Sequence, residues 1–185
     1  MNRSRLLRGL DAGLAGVHRL VTGVNRVAFG ISAGLVLVVM PLMLFQAVSR
    51  YALGDPAAWA GELATLLFGP MFLLAGPYML HLRQHVGVDI LSARLSERGR
   101  DWLDLALMPV VIFFAWIMMQ RSWPLAMSAL SFRETSFSSW NPEIWWTKFF
   151  LPVAMALLVA QAVVEMLAAL RRLGLTGGPN GEAAR

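Results

Sequence analysis

The sequence predicts an all-α integral membrane protein with four transmembrane helices. Hydrophobic residues occupy 57% of its 185 positions and charged residues only 15%, whereas a soluble domain carries about 25% charged residues. The apolar residues also come in long uncharged runs, and about 20 such residues cross a bilayer core about 30 Å thick. We also expect amphipathic interfacial helices at the N-terminus and between the second and third spans.

Composition excludes several classes of protein. The chain has no cysteine, which rules out disulfides, thiolate metal sites and cysteine nucleophiles. Its net charge is +5, but the basic residues flank apolar spans and are not interleaved with stacking residues. This pattern indicates contact with the lipid bilayer and control of topology, and it predicts no nucleic-acid partner.

Three regions follow from the distribution of charge. Residues 1–26 are basic and amphipathic, with apolar residues at helical spacing, and are predicted to lie in the cytoplasm or at the membrane interface. Residues 27–172 form the four-helix transmembrane domain. Residues 173–185 are polar and glycine-rich, and we expect a disordered cytoplasmic tail.

The first two spans are predicted to form an antiparallel hairpin over about 27–49 and 57–80. Gly54, Asp55 and Pro56 supply the turn between them and start the second helix. Close packing of the first span is expected at small residues, and these are Gly30, Ser32, Ala33 and Gly34.

Two glycine–proline pairs lie inside the second span, Gly69-Pro70 and Gly76-Pro77. They favour a bent packing helix. The alternative is a helix broken at a transport site, but no charged or polar cluster lies beside the pairs.

The second half of the domain holds spans three and four. An interfacial segment over 81–100 leads to the third span at about 102–121 and a long connection over 122–143. Asn141-Pro142-Glu143 has the pattern of a helix start, with Asn as the cap, Pro first and Glu next. The fourth span then runs over about 144–170.

Basic residues predict the orientation. Most of the 16 Lys and Arg residues fall in the N-terminal segment, the 81–100 connection or the tail, which places both termini in the cytoplasm. The opposite side holds Arg50, Arg121, Arg133 and Lys148. An aromatic belt is expected on that outer side, formed by Trp123, Trp140, Trp145 and Trp146.

Polar residues at the span ends are the candidate site. Arg50 and Glu62 flank the short outer turn and are predicted to pair, as a structural clasp, a partner-subunit contact or a coupling-ion ligand. His81, His85 and Asp89 are spaced four apart and would share one helical face. Because a glycine interrupts that stretch, we predict a bond between His85 and Asp89 and no metal.

No catalytic grouping appears in the sequence, and we predict that the chain is not an enzyme. Haem is disfavoured because every histidine lies outside or at the edge of a span. Gln161 and Glu165 lie four apart in the fourth span, where Glu165 is expected to pair with an arginine or another subunit. A membrane-anchor redox subunit binding haem or quinone remains the alternative, which an absorbance spectrum would test.

The order of these motifs resembles the small membrane subunit, the DctQ type, of tripartite ATP-independent periplasmic (TRAP) transporters. The resemblance covers about 27–170. Many relatives have two adjacent acidic residues where Gly61 precedes Glu62 in this chain. The matching residues are Arg50, Tyr51, Trp59, Glu62, Gly69, Gly76, His85, Val86, Val88, Asp89, Ser122, Trp123, Glu134, Ser136, Lys148, Leu151, Pro152 and Gln161.

The resemblance implies a multi-pass subunit of the bacterial inner membrane that scaffolds a large multi-span TRAP subunit. Together they would take up an organic acid of the keto-acid or hydroxy-acid class, or a mannitol-type solute, by symport driven by an ion gradient. A periplasmic solute-binding protein would deliver it. Sodium would bind to the large subunit, so no cofactor is expected here. The predicted clasp or interface residues are Arg50, Tyr51, Trp59, Glu62, His85, Asp89, Glu134, Lys148 and Gln161.

Overall fold

Four long helices make up the part of the chain that a computed structural model describes, residues 3–55, 57–82 and 97–173. Each helix contains a segment long and apolar enough to cross a membrane. The predicted all-α fold with four spans is therefore confirmed. The helices are α1 (Arg3–Ala52), α2 (Ala58–His81), α3 (Glu97–Ser131) and α4 (Trp145–Arg172).

The helices form two antiparallel hairpins, α1 with α2 and α3 with α4, and α4 contacts each of the other three helices. The connections at 53–57 and 132–144 lie together at one end of the bundle, which we call the hairpin end. The opposite end, which we call the termini end, holds His18, His81 and Glu165 within contact distance of one another. The bundle is therefore organised around α4.

Small residues allow the close helix contacts. Fully buried alanines occur on α2, α3 and α4, and a methyl side chain lets two backbones approach closely in a membrane. The apolar core lies toward the termini end, where Leu80, Met108 and Ala162 from three helices meet. The buried alanines of these helices are Ala60, Ala64, Ala115, Ala126, Ala129, Ala154, Ala162 and Ala169.

Two hydrogen bonds from serine hydroxyls to backbone carbonyl oxygens hold the first hairpin together. The buried Ser32 hydroxyl on α1 donates to the Met71 carbonyl oxygen on α2, and the Ser49 hydroxyl donates to the Asp55 carbonyl oxygen in the turn. Gly54 has a φ of +70°, in the left-handed region where glycine has no steric penalty. This turn therefore requires glycine, as the sequence predicted.

Several element boundaries differ from the predicted ones. Helix α1 passes through residue 26 without a break, although we predicted a separate segment there. Helix α3 continues to Ser131, about ten residues beyond the predicted end, because Pro124 is accommodated inside the helix. Of the four small residues predicted to pack closely on α1, only Ser32 is buried.

Helix α2 continues through both of its prolines, Pro70 and Pro77, which are buried in the bundle. This favours the packing-helix interpretation over a broken helix. The predicted interfacial helix between spans two and three lies almost entirely outside the described residues, as does the predicted tail. His85 and Asp89 also lie outside them.

Candidate functional site

A polar contact joins the two hairpins at the hairpin end. The Ser138 hydroxyl, in the α3–α4 connection, donates to Oε2 of Glu62 on α2 at 2.6 Å. Hydrogen bonds to an ionised acceptor are stronger than neutral ones. Glu62 therefore fastens the long connection onto the first hairpin, although both groups are exposed to solvent.

The α3–α4 connection is itself a folded loop. Thr135 and Glu143 form an isolated antiparallel bridge, the Ser136 amide donates to the Pro142 carbonyl oxygen at 3.0 Å, and the Ile144 amide donates to the Glu134 carbonyl oxygen at 2.9 Å. These bonds return the chain so that α4 starts beside the end of α3.

An ion pair closes the base of this loop. The Lys148 ammonium group on α4 lies 2.5 Å from Oε2 of Glu134. Both side chains are about one-third exposed, and an ion pair of this kind contributes about 0–1 kcal/mol. The pair joins two residues that the resemblance singled out, but the sequence alone did not predict their contact.

The predicted Arg50–Glu62 pair is not formed within the described residues. The Arg50 guanidinium group instead lies over the ring of its exposed neighbour Tyr51, 5.8 Å from the ring centroid, while Glu62 accepts from Ser138. The prediction considered only the two helices of the first hairpin. The long connection supplies a closer partner for the carboxylate.

Asn141 does not cap α4, contrary to the prediction. The helix starts at Trp145 after Ile144, without a side-chain cap. Asn141 has a φ of +49°, and its Oδ1 accepts a hydrogen bond from the Phe137 amide at 3.0 Å. Asn tolerates the left-handed conformation better than most residues, so its role is to shape the loop.

Gly61, which stands where many relatives have an acidic residue, lies at the contact between α1 and α2. A Cβ atom at this position would lie 2.1 Å from Nε2 of Gln46. Gln46 therefore lies directly on the Gly61 backbone and faces protein. Beside it, Phe45 and Trp59 pack with ring centroids 5.8 Å apart. A side chain at position 61 would therefore have to displace the end of the flexible Gln46 side chain.

A second polar cluster, which we call the inner cluster, lies at the termini end. Asn25 on α1 and Gln161 on α4 are fully buried, and Nδ2 of Asn25 donates to Oε1 of Gln161 at 2.7 Å. Gln161 Nε2 donates onward to Oε1 of Glu165 at 3.1 Å. The same carboxylate oxygen lies 2.5 Å from Nδ1 of His81 and 3.6 Å from Nε2 of His18.

Sequence reasoning found only part of the inner cluster. Gln161 and Glu165 were noted as a pair four residues apart, but Glu165 contacts two histidines, neither of which had been predicted as its partner. Asn25 was missed because it falls in a segment assigned to the interface. The available signal is the position of His18 and His81, since both lie near ends of spans that are predicted to face the cytoplasm.

Charged side chains lie mainly toward the two ends of the bundle, although Arg121 lies inside α3, ten residues before its end at Ser131. Stretches of each span carry none, namely 27–49, 63–80, 105–120 and 149–164. Ionisable groups inside a membrane mark solute and ion pathways. The arrangement can thus fasten helices at both ends, and the chain offers no charged group in mid-membrane for a solute.

Comparison with known proteins agrees with this architecture. Residues 37–172 match the family model for the DctQ component of tripartite ATP-independent periplasmic transporters. The chain is also 31% identical over 84 residues to the sialic acid TRAP transporter small permease protein SiaQ of Vibrio cholerae serotype O1. That alignment covers 45% of this chain and 49% of the relative, about half of its length. Since the family model covers most of the chain, the protein belongs to the DctQ component family of tripartite ATP-independent periplasmic transporters.

Proposed function

We propose that this chain is the small permease subunit of a TRAP transporter and holds the large transport subunit in the membrane, without catalysing a reaction. The observation that carries the proposal is the uncharged middle of all four spans. An ion or a carboxylate solute needs polar groups along its path through a membrane. Family membership together with the lack of charged side chains in these stretches favours a scaffold whose partner provides the path.

The apolar surface of the bundle supports the same role. Large apolar side chains are exposed near the middle of each span, among them Leu37, Phe72, Phe113 and Val153. Exposed apolar surface at this depth matches lipid tails or the apolar helices of another subunit. The proposed partners are a large multi-span TRAP subunit, a periplasmic solute-binding protein and the bilayer.

The proposed solute is an organic acid of the keto-acid or hydroxy-acid class, or a mannitol-type solute. The relative in Vibrio cholerae is named for sialic acid, which is also an acid. In this proposal the solute and the coupling sodium ion both bind to the large subunit. The chain would lie in the bacterial inner membrane with both termini in the cytoplasm, in accord with its basic residues.

Purification and uptake measurements test the proposal together. A tagged chain, expressed with its large subunit, should co-purify with it in mild detergent. Proteoliposomes holding both subunits should take up solute when the binding protein and a sodium gradient are supplied. Proteoliposomes with the large subunit alone are the matched control, and their uptake should fall to background.

Two results together would contradict the proposal. One is elution of the tagged chain free of the large subunit. The other is undiminished uptake by the large subunit alone. Specific flux through the chain reconstituted by itself would instead identify a stand-alone channel.

A further inference from the structure

The inner cluster brings two imidazoles and a carboxylate together from three helices. His18 lies on α1, His81 is the last residue of α2, and Glu165 lies on α4. One ligand atom from each residue lies within 4.8 Å of the other two. The proposed scaffold role does not use this grouping, and it lies at the opposite end from the folded loop.

The donor atoms suit a transition-metal ion. Imidazole nitrogen and carboxylate oxygen are ordinary ligands of Zn²⁺, and three protein ligands with one open position is a common zinc arrangement. A neutral imidazole has one nitrogen with a free lone pair, so each histidine supplies one ligand. The open fourth position would be filled by water, since His18 and His81 are about 30% exposed.

The spacing of the three ligand atoms requires only a small adjustment. Tetrahedral ligands about 2.1 Å from Zn²⁺ lie about 3.4 Å from one another. His18 Nε2 and Glu165 Oε1 are 3.6 Å apart, which is close to that separation. His81 Nδ1 and Glu165 Oε1 are 2.5 Å apart and must separate by about 1 Å. His81 ends α2, so its side chain can move without disturbing a following helical turn.

Glu165 is held in place by groups that do not themselves ligate. Gln161 donates to its Oε1 at 3.1 Å, and the buried Asn25 in turn fixes Gln161 at 2.7 Å. The carboxylate is only 12% exposed. Supporting hydrogen bonds of this kind orient the metal ligands, and losing one typically lowers metal affinity by about 10–100-fold.

We propose that His18, His81 and Glu165 form a binding site for a divalent transition-metal ion, with Zn²⁺ as the matching ion. The bound ion ties α1, α2 and α4 together at the termini end. The site is independent of whether the chain scaffolds a transport subunit.

Metal binding by the full-length chain tests the proposal directly. The untagged protein is purified in detergent, stripped with chelator and titrated with Zn²⁺, and the bound metal is measured by elemental analysis and calorimetry. We expect one Zn²⁺ per chain and a rise in Tm on binding. The same protein titrated with Co²⁺ should develop the visible absorption of a low-symmetry, four-coordinate site.

Variants assign the ligands. His18→Ala and Glu165→Gln should each weaken Zn²⁺ binding by at least about tenfold, because even supporting partners cost that much. Glu143→Gln, which removes an exposed carboxylate at the hairpin end, is the matched control and should bind as the unsubstituted chain does.

The unsubstituted chain alone can overturn the proposal. Failure to bind Zn²⁺ at one per chain, together with an unchanged Co²⁺ spectrum, would identify the cluster as hydrogen-bonded helix contacts only. Equal affinity in His18→Ala, Glu165→Gln and Glu143→Gln would place the ion elsewhere. Because the first outcome needs no variant, a substitution that prevents folding does not leave the question open.

Discussion

Gly61 illustrates how a single residue sets the distance between two helices. Its missing side chain lets the Gln46 amide lie where a Cβ atom would be, with Cδ of Gln46 at 2.4 Å from that point. The neighbouring Glu62 then accepts from Ser138 in the long connection. Glycine at this position therefore makes room for the Gln46 side chain of α1, and Glu62 supplies the carboxylate that contacts the loop.

Gly61→Ala should destabilise the protein. The added methyl group must displace the Gln46 amide, and because this amide is the far end of a flexible side chain the cost should be at most about 1 kcal/mol, the lower end for overpacking. Thermal unfolding in detergent should show a lower Tm. Gly69→Ala, in the same helix, is the control with nothing within 4 Å of the new Cβ, and its Tm should not fall.

A double substitution tests the cause of that loss. Gln46→Ala should relieve the clash, so Gln46→Ala with Gly61→Ala should lose less than the sum of the two single changes. Additive losses would mean that the two residues do not compete for the same space.

At the scale of the elements, α1 and α4 are joined by polar contacts. Asn25 and Gln161 are both fully buried and share a hydrogen bond. Burying a polar group costs free energy unless the group is hydrogen-bonded, and in Asn25 this holds for Nδ2, whereas Oδ1 is buried without a partner among the described residues. The hydrogen bond favours the face of α1 that meets α4, and it lies within the unbroken helix, next to the predicted boundary at residue 26.

Asn25→Ala should loosen α1 from α4. Oε1 of Gln161 would lose its donor while buried, and an unsatisfied buried acceptor costs about 1–3 kcal/mol. The Tm should fall accordingly. Ser122→Ala is the matched control, because the buried Ser122 hydroxyl donates only to carbonyl oxygens of its own helix, those of Met118 and Met119. The Tm of Ser122→Ala should fall less than that of Asn25→Ala. Equal losses would contradict a role in joining the helices.

At the scale of the whole molecule, each of the four spans has a long stretch without a charged side chain. The uncharged stretches of the four spans lie between a hairpin end with few basic residues and a termini end with many. Basic residues near span ends are retained on the cytoplasmic side. This asymmetry predicts that the 132–144 loop faces the periplasm and that both termini face the cytoplasm.

Cysteine labelling tests that topology on a background without native cysteine. Ser139→Cys, at an exposed loop position, should react with a charged, impermeant thiol reagent in intact spheroplasts. Ser4→Cys and Ala183→Cys should react only after lysis. Labelling of either terminus in intact spheroplasts, at the rate found for Ser139→Cys, would contradict the predicted orientation.

The sequence predicted the elements better than their contacts. Spans two and four agree with α2 and α4 within about two residues, because hydrophobic runs bounded by Gly54, Asp55 and His81 mark their ends. The end of α3 was missed, since a Ser-Trp-Pro sequence after Arg121 resembles a helix stop. In the structure the Ser122 hydroxyl bonds Met118 inside the continuing helix.

The site was less predictable for a physical reason. Periodicity tells which residues share a face of a helix, but not which face of another helix they meet. Asn25 and Gln161 are separated by 136 residues, and neither carries a local signal for the other. Glu62 was assigned to Arg50 on proximity in sequence, and the competing donor Ser138 came from a loop whose path no local pattern describes.

The unbroken length of α1 has a mechanical consequence. Its 50 residues extend about 75 Å, more than twice the bilayer core. A span adjusts to bilayer thickness by tilting, and a continuous helix transmits that tilt as a rigid rod. His18 and Asn25 both contact α4, so a change in the tilt of α1 would be passed on to α4. The angle of α1 to the membrane would therefore change with the thickness of the bilayer around the subunit.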